Sequence, residues 1–394
     1  MVILCLILIL ALVGTCSSTV FLGLTALGVI RFRTEARRAL NSAPGDAQLP
    51  PVSVLKPVHG LEAQLRQNIE SFFRQDYPDY EILFGIDEPD DAALPLVREI
   101  CALYPHVRSR ILVTGKPAWP NPQTYSLHCL AEAAQHGFLV ASDSDVEVSP
   151  SYLREVVAPL LDPKVGMVTC LYRGKNAAGF WSGLSALGMS VEEPAGVLVA
   201  NLLEGMKFGL GPTIAVRQDA LAAIGGYEAF HDYFANDFML GNLIHKAGYQ
   251  VVLSNHVIDH IVNQPTFSHM WQNQQRWAWS NRYTRPKGHL GVGLTFAVPF
   301  GILGLLAAAF LGRPVLGTVL LGAAILNRIL LGWLVGWCVV RDPQIHRAPW
   351  IYPLRDLLGF IVWFGSFLGT GIVWRGSRYH GTGARIASRQ ASGM

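Results

Sequence analysis

Apolar residues in this chain form long blocks at its two ends and short alternating runs in its middle. From 2 to 30 no charged residue occurs, and a bilayer core needs about 20 apolar residues in a helix. The pattern predicts a retained membrane helix over 1–30. A cleaved leader would start with basic residues and carry a shorter apolar region. Arg31, Arg33, Arg37 and Arg38 follow at once, which places the next domain on the cytoplasmic side. The second block, 290–374, predicts C-terminal membrane helices, with candidate spans at 290–311, 315–340 and 357–374. Arg328 lies inside the middle one, and an arginine there faces a polar cavity or another helix. Three crossings would put the basic tail 375–394 (Arg375, Arg378, Arg385, Arg389) outside. That breaks the charge rule, so one segment is expected to be re-entrant or interfacial.

Between these blocks the pattern changes to that of a soluble domain, 51–264, reached through a turn-forming linker, 31–50. Short apolar runs at 52–57, 80–86, 110–114 and 138–142 predict strands. Leu61, Leu65, Ile69, Phe72 and Phe73 recur at helical spacing, and further helices are expected over 92–104 and 124–136. Strands alternating with helices in units of this length predict an α/β fold with a mostly parallel sheet covered on both faces. Ligands of such sheets bind where strands end at their carboxyl edge. Acidic residues fall there: Asp87, Glu88, Asp90 and Asp91 after one strand, Asp143 and Asp145 after another.

In Ser142-Asp143-Ser144-Asp145 two carboxylates stand two residues apart. On an extended chain they point to one side and can reach one cation. Hard oxygen ligands suit Mg²⁺ or Mn²⁺, which would also hold a diphosphate. The plainer alternative is a solvated turn leading to a helix cap at 149–150. The loop with Asp90 and Asp91 is a candidate site for a nucleotide's base or ribose, and equally a solvated acidic loop. Asn236 is expected to cap a helix with Asp237 in its first turn. There Asp237 either stabilises the helix dipole or acts as general base toward an acceptor hydroxyl. The stretch 265–289 carries Trp271, Trp277, Trp279, Gln272, Gln275, Arg276 and Arg282. Gln272 and Arg276 share a face, and an aromatic, cationic helix before a span is expected at the membrane interface. Arg276 is also suited to phosphate oxygens.

Composition narrows the class further. Hydrophobic residues make up 51% and charged residues 15% of 394, and mean hydropathy is +0.31. This is too apolar for an ordinary soluble chain. A net charge of +3 gives no reason to expect nucleic acid. Six scattered cysteines without a CxxC pair predict neither a zinc site nor a disulfide framework.

Taken together, Val54-Leu55-Lys56-Pro57, Phe72-Phe73-Arg74-Gln75-Asp76-Tyr77-Pro78, Asp90-Asp91, Asp143-Ser144, Asp237, Arg276-Trp277 and Trp374-Arg375-Gly376-Ser377-Arg378-Tyr379 carry a resemblance. The chain resembles ceramide glucosyltransferases (glycosyltransferase family 21) and their bacterial relatives that glycosylate hopanoids, from about Arg31 to the tail. The resemblance implies a GT-A-like domain with flanking transmembrane helices and a UDP-sugar donor. It also implies a membrane-lipid acceptor and inverting displacement at a multi-pass membrane protein's cytoplasmic face. Carried over position by position, Asp91 (or Asp90) corresponds to the nucleotide aspartate and Asp143 to the donor and metal aspartate. Asp237 corresponds to the base, and Arg276 with Trp277 to the end of a (Q/R)xxRW element that meets the diphosphate or the acceptor. The chain departs from the family pattern at Gln123, where a lysine is usual, at Asn236, usually acidic, and at Asn273, the first position of (Q/R)xxRW. Thr169 stands where the ceramide enzymes carry a histidine. Ceramide is the acceptor the resemblance implies first, a hopanoid or other lipid alcohol second. A catalytically degenerate nucleotide-sugar- or lipid-binding protein is the alternative outside catalysis.

Overall fold

The computed structural model describes residues 1–41, 44–368, 371–374, 377–382 and 384–391. Ser42 and Ala43 of the linker and Arg375 and Gly376 of the terminal motif lie outside the described residues, as do the side chains of Trp374, Arg378 and Arg389. In chain order the helices are α1 (Val2–Asn41), α2 (Leu65–Phe73), α3 (Leu94–Leu103), α4 (Pro122–Ala133), α5 (Tyr152–Val157), α6 (Gly179–Glu204) and α7 (Gln218–Ala223). They continue as α8 (Asn236–Lys246), α9 (Phe267–Thr284), α10 (Pro286–Val292), α11 (Val298–Phe310), α12 (Pro314–Leu331), α13 (Pro343–Arg347) and α14 (Tyr352–Gly365). The strands are β1 (Val52–Val58), β2 (Tyr80–Ile86), β3 (Arg108–Val113), β4 (Phe138–Ser142), β5 (Val146–Glu147), β6 (Val165–Asn176), β7 (Thr213–Arg217) and β8 (Gln250–Val262). After them come β9 (Gly371–Trp374), β10 (Ser377–Thr382) and β11 (Arg385–Ala391).

The chain divides into two compact units. The α/β unit comprises residues 35–177, 204–263 and 375–394. Its sheet has the order β3-β2-β1-β4-β7-β6-β8-β5. β1 pairs in parallel with β2 and β4, and β2 with β3. Every residue of β1 and β2 is buried, as strands covered on both faces require. The α/β class is as expected, and the sheet is mixed with parallel pairings in the majority, four of seven. β7 runs antiparallel to both β4 and β6, and β5 antiparallel to β8, while β6 and β8 are parallel. Strict strand–helix alternation, which forces parallel pairing, stops at β4.

Local boundaries also shift. α2 starts at Leu65, leaving Leu61 outside it and 64% exposed. α5 begins at Tyr152 after Ser151, not at the expected 149–150. Within the basic tail, residues 377–382 and 385–391 form a hairpin, β10 antiparallel to β11.

The helical unit comprises residues 1–34, 178–203 and 264–374. It contains α6, which the composition had merged into the 51–264 domain. Gly28 of α1 faces the Leu198 backbone, where an added Cβ would stand 3.0 Å from the carbonyl oxygen. Arg31 Nη1 donates to Asn201 O at 3.3 Å. α11 and α12 form a hairpin that closes on small residues, Gly301 against Ala324 and Gly317 against Leu305, the packing that apolar surroundings favour.

Among the described residues α1 and the stretch Pro314–Trp337 are long and apolar enough to cross a membrane. The other two candidate spans are corrected. The segment 290–311 breaks into α10 and α11, with turns between them. The segment 357–374 is not one helix, because α14 ends at Gly365 and 371–374 is strand. Gly365 has no room for a side chain, a Cβ there lying 2.7 Å from Gln275 Nε2. Arg328 does face another helix: its Nη1 meets Asp356 Oδ1 of α14 at 3.2 Å.

Candidate active site

The parallel half of the sheet puts four loops along one edge, and β7 brings a fifth beside them. Asp143 leaves β4 with its N–H donating to Pro212 O at 3.1 Å, and Ser142 Oγ donates to the same oxygen at 3.2 Å. Pro212 is next to Gly211, whose added Cβ would lie 3.1 Å from Asp237 Oδ2. The two aspartates therefore flank the Gly211–Pro212 step. Both line one open cleft together with Gln123, Tyr227, Phe230 and Asn236.

Gln123 is the residue that the sequence pattern marked only as a departure. Asn121 caps α4, its Oδ1 accepting from Gln123 N at 3.0 Å and Thr124 N at 3.1 Å, and Pro122 fills the first helical position. The capped turn presents Gln123 Nε2 to Asp143 Oδ1 at 2.6 Å. Asn121 itself is fully buried.

Beneath the Asp143–Asp145 segment lies Lys56, the centre of the Val-Leu-Lys-Pro motif. It is fully buried, its Nζ donates to Asp143 O at 2.5 Å and sits 3.7 Å from the Phe72 ring centroid. Burial pushes its ammonium down to about 7, against the opposing pull of Asp143, Asp145 and Glu62. Ser144 Oγ donates to Glu62 Oε2 at 2.5 Å, and Asn68 Nδ2 to Ser144 O at 3.1 Å. Asp145 Oδ2 pairs with His260 Nε2 at 3.1 Å. Burial pushes the Asp145 carboxyl up, but His260 and Lys56 outweigh it and hold it below the usual range. Burial pulls His260 down, but Asp145, with Asp143 and Glu62, outweighs it and raises the imidazole in turn. A buried lysine and a histidine thus offset the acidic cluster from behind. Neither was singled out as a site residue in the sequence, where one buried cation gives no periodic signal.

Asp237 lies in the first turn of α8 as expected, but the flanking position is Ala235, not Asn236. Asn236 is already helical. Its Oδ1 accepts from Asp237 N at 3.0 Å and its Nδ2 donates to Thr124 Oγ1 at 3.1 Å. The helix start is thereby tied to the cap of α4. The Asp237 carbonyl accepts from Gly209 N at 3.2 Å.

The Asp91 loop has a different arrangement. The Asp91 side chain is 5% exposed. Gly60 N donates to both of its oxygens at 3.0 Å, and Ala93 N to Oδ1 at 2.8 Å. Gly60 has φ +67, a left-handed conformation that favours glycine. Asp91 therefore joins the loops after β1 and β2, while Asp90 is exposed.

In the helical unit, Arg276 stands over the Trp277 ring at 5.5 Å on α9. Gln272 is exposed and donates to Ser268 Oγ at 3.3 Å. The buried glutamine of this helix is Gln274, which accepts from Arg355 Nη2 at 3.0 Å.

A divalent cation fits this donor set in part. Asp145 Oδ1 is buried with no hydrogen-bond partner, and Asp143 stands two residues away. Among the described residues no group of three His, Cys, Asp or Glu forms a ready cage. Asp145 is not among the residues that line the cleft with Asp143 and Asp237.

The α/β fold and the sequence together define a glycosyltransferase. The chain belongs to glycosyl transferase family 21, whose family model matches residues 10–386. It is 28% identical over 229 residues to ceramide glucosyltransferase 1 of Caenorhabditis elegans, covering 58% of this chain and 49% of that protein. Ceramide glucosyltransferase 3 of the same organism is 24% identical over 344 residues, covering 85% of this chain and 73% of that one. The chain thus spans about half the length of the first relative. Among solved structures, the mannosyltransferase PcManGT from Pyrobaculum calidifontis, in complex with GDP-Man and Mn²⁺, is 19% identical with a TM-score of 0.49. That match covers 89% of this chain and 99% of the mannosyltransferase.

Proposed function

We propose that the chain transfers a hexose from a UDP-sugar, glucose first among them, to the hydroxyl of a membrane lipid, with inversion. Ceramide is the first candidate acceptor. The observation that carries this reading is the common cleft of Asp143 and Asp237. Asp237 takes the proton of the acceptor hydroxyl as that oxygen bonds to the anomeric carbon, and the bond to the UDP oxygen breaks on the opposite face. Asp143, fixed by Gln123 and by its main-chain bonds, orients the donor. Asp143 and Asp145 would hold Mg²⁺ or Mn²⁺, which when bound neutralises charge on the departing diphosphate. Arg276 and Trp277 are assigned to the diphosphate or the acceptor, and Asp90 to the nucleotide. Asp91 acts through the loop that it ties to Gly60.

Lipid mass spectrometry of a host expressing the chain, beside its Asp143→Ala form, is expected to show a hexosylated lipid in the first alone. Identical lipid profiles would end the proposal. With purified protein, chelation of divalent cations is expected to lower transfer at least tenfold and Mn²⁺ to restore it. Transfer that is indifferent to chelator would remove the metal from the account. Gln123 and Asn236 leave a non-catalytic nucleotide-sugar binder as the second reading. UDP binding without sugar release, with and without ceramide, would favour it.

The membrane arrangement belongs to the same proposal. The hairpin β10–β11 is bonded to the α/β unit, since Ile386 N donates to Asp232 O at 2.7 Å. Chain on both sides of 264–374 then shares one aqueous compartment, and the number of crossings between is even. α11 and α12 are taken as the crossing pair. α14 is taken to enter without crossing, which keeps the number even. A C-terminal green fluorescent protein is expected to fluoresce in the cytoplasm, and alkaline phosphatase fused at Arg313 to be active outside. The reverse pattern would refute the topology.

A further inference from the structure

We propose that the C-terminal hairpin is a positioning element for the reaction, holding the segment in front of Asp237 so that the base is presented to the acceptor. This rests on the assignment of Asp237 as base. Residues 231–236 connect the cleft wall at Tyr227 and Phe230 to the start of α8, and they are gripped from two sides.

On one side stands the cap of α4. Asn121 N donates to His231 O at 3.1 Å, Asn121 Nδ2 to Tyr233 O at 2.7 Å and Asn236 Nδ2 to Thr124 Oγ1 at 3.1 Å. The same cap carries Gln123, the partner of Asp143.

On the other side stands the hairpin. Tyr233 and Arg385 form an antiparallel bridge. Phe234 N donates to Ala384 O at 3.2 Å and Ile386 N to Asp232 O at 2.7 Å. Arg385 lies over the Tyr233 ring at 4.9 Å, donates to its hydroxyl at 3.1 Å and meets Asp232 Oδ2 at 3.3 Å. Tyr379 is fully buried, edge-on to Phe234 with centroids 6.2 Å apart, and Ile386 is 5% exposed. Arg385 is 60% exposed, and an exposed ion pair contributes little by itself. The main-chain bridge and the two buried side chains therefore do most of the holding, and Arg385 sets the register. Without the hairpin, residues 232–234 lose the main-chain bridge and the buried side chains on this side, and the start of α8 loses one wall.

The test uses the full-length protein in lipid nanodiscs. Ile386→Pro removes the N–H that meets Asp232 O and is expected to lower kcat about ten- to a hundredfold, the size that misplacement of a catalytic group produces. UDP affinity should stay within about threefold, since the donor side is untouched. Amide hydrogen exchange over 231–237 should quicken, while β1, β2 and β4 stay protected. Arg385→Asp should lower kcat severalfold, and the exchanged pair Asp232→Arg with Arg385→Asp should restore it, which general damage to the fold would not allow. Wild-type kcat together with unchanged exchange at 231–237 in Ile386→Pro would overturn the proposal. If Ile386→Pro loses UDP binding and protection throughout, the exchanged pair decides, and failure of rescue overturns it. The exchange measurement needs no turnover. A failed base assignment would instead appear as an active Asp237→Asn enzyme whose 231–237 segment still answers to Ile386→Pro.

Discussion

Asp237→Asn is expected to lower turnover about 10²–10⁴-fold, the usual contribution of a positioned general base. Donor binding should change little. The substitution keeps the shape of the side chain and both main-chain bonds at this residue, Asp237 N to Asn236 Oδ1 at 3.0 Å and Gly209 N to Asp237 O at 3.2 Å. Loss of a negative charge from the first turn of α8 should cost only about 0.3–1 kcal/mol of stability. kcat should therefore collapse while UDP affinity and melting temperature hold, the signature of an interaction made in the transition state. The neighbourhood supports this choice. Asp237 is carried on the edge of the cleft by a helix start that Asn236 and Thr124 pin to the α4 cap. Turnover at the wild-type rate in Asp237→Asn would remove the base, and with it the division of labour between Asp143 and Asp237.

The first four strands and the acidic edge they create were legible in the sequence, because buried parallel strands read as apolar runs and their carboxyl ends are where Asp87, Asp90, Asp91, Asp143 and Asp145 fall. Asp143 and Asp237 line one cleft, which the Asp91 loop does not line. What the sequence hid has one cause in several forms: each missed contact joins positions far apart in the chain. Gln123 reaches Asp143, Lys56 reaches the Asp143 carbonyl and Asp145 reaches His260. None of these pairings leaves a local period. α6 went unseen because its apolar residues look like any core helix when the partner is unknown. The hairpin within the basic tail was not foreseen, because Arg385 and its neighbours look solvated until Tyr379 and Ile386 are found buried. Arg328, by contrast, was conspicuous. A charge within an apolar run is costly enough to announce a partner, though not to name it.

That partner sets up the second large effect. Arg328 and Asp356 are 2% and 1% exposed, and the Asp356 carboxylate has two functions. Its Oδ1 meets Arg328 Nη1 at 3.2 Å, while its Oδ2 accepts from Ala297 N at 3.0 Å and Val298 N at 2.9 Å, capping α11 from another helix. Arg328→Met removes the cation and leaves the carboxylate buried, which should cost about 3–5 kcal/mol. Asp356→Asn should cost less. Its amide oxygen can still serve the α11 amides, and Arg328 keeps its bonds to Asn327 Oδ1 at 3.0 and 2.6 Å. The double variant, with neither charge present, should recover most of what Arg328→Met loses, because two neutral groups of similar volume have no unpaired ion to bury. Thermal unfolding of the three proteins in one detergent would show the order, with Arg328→Met lowest and the double variant above it. Equal melting temperatures for Arg328→Met and the double variant would mean that the carboxylate is hydrated through some path. The ion pair would then not be what holds α14 against α12.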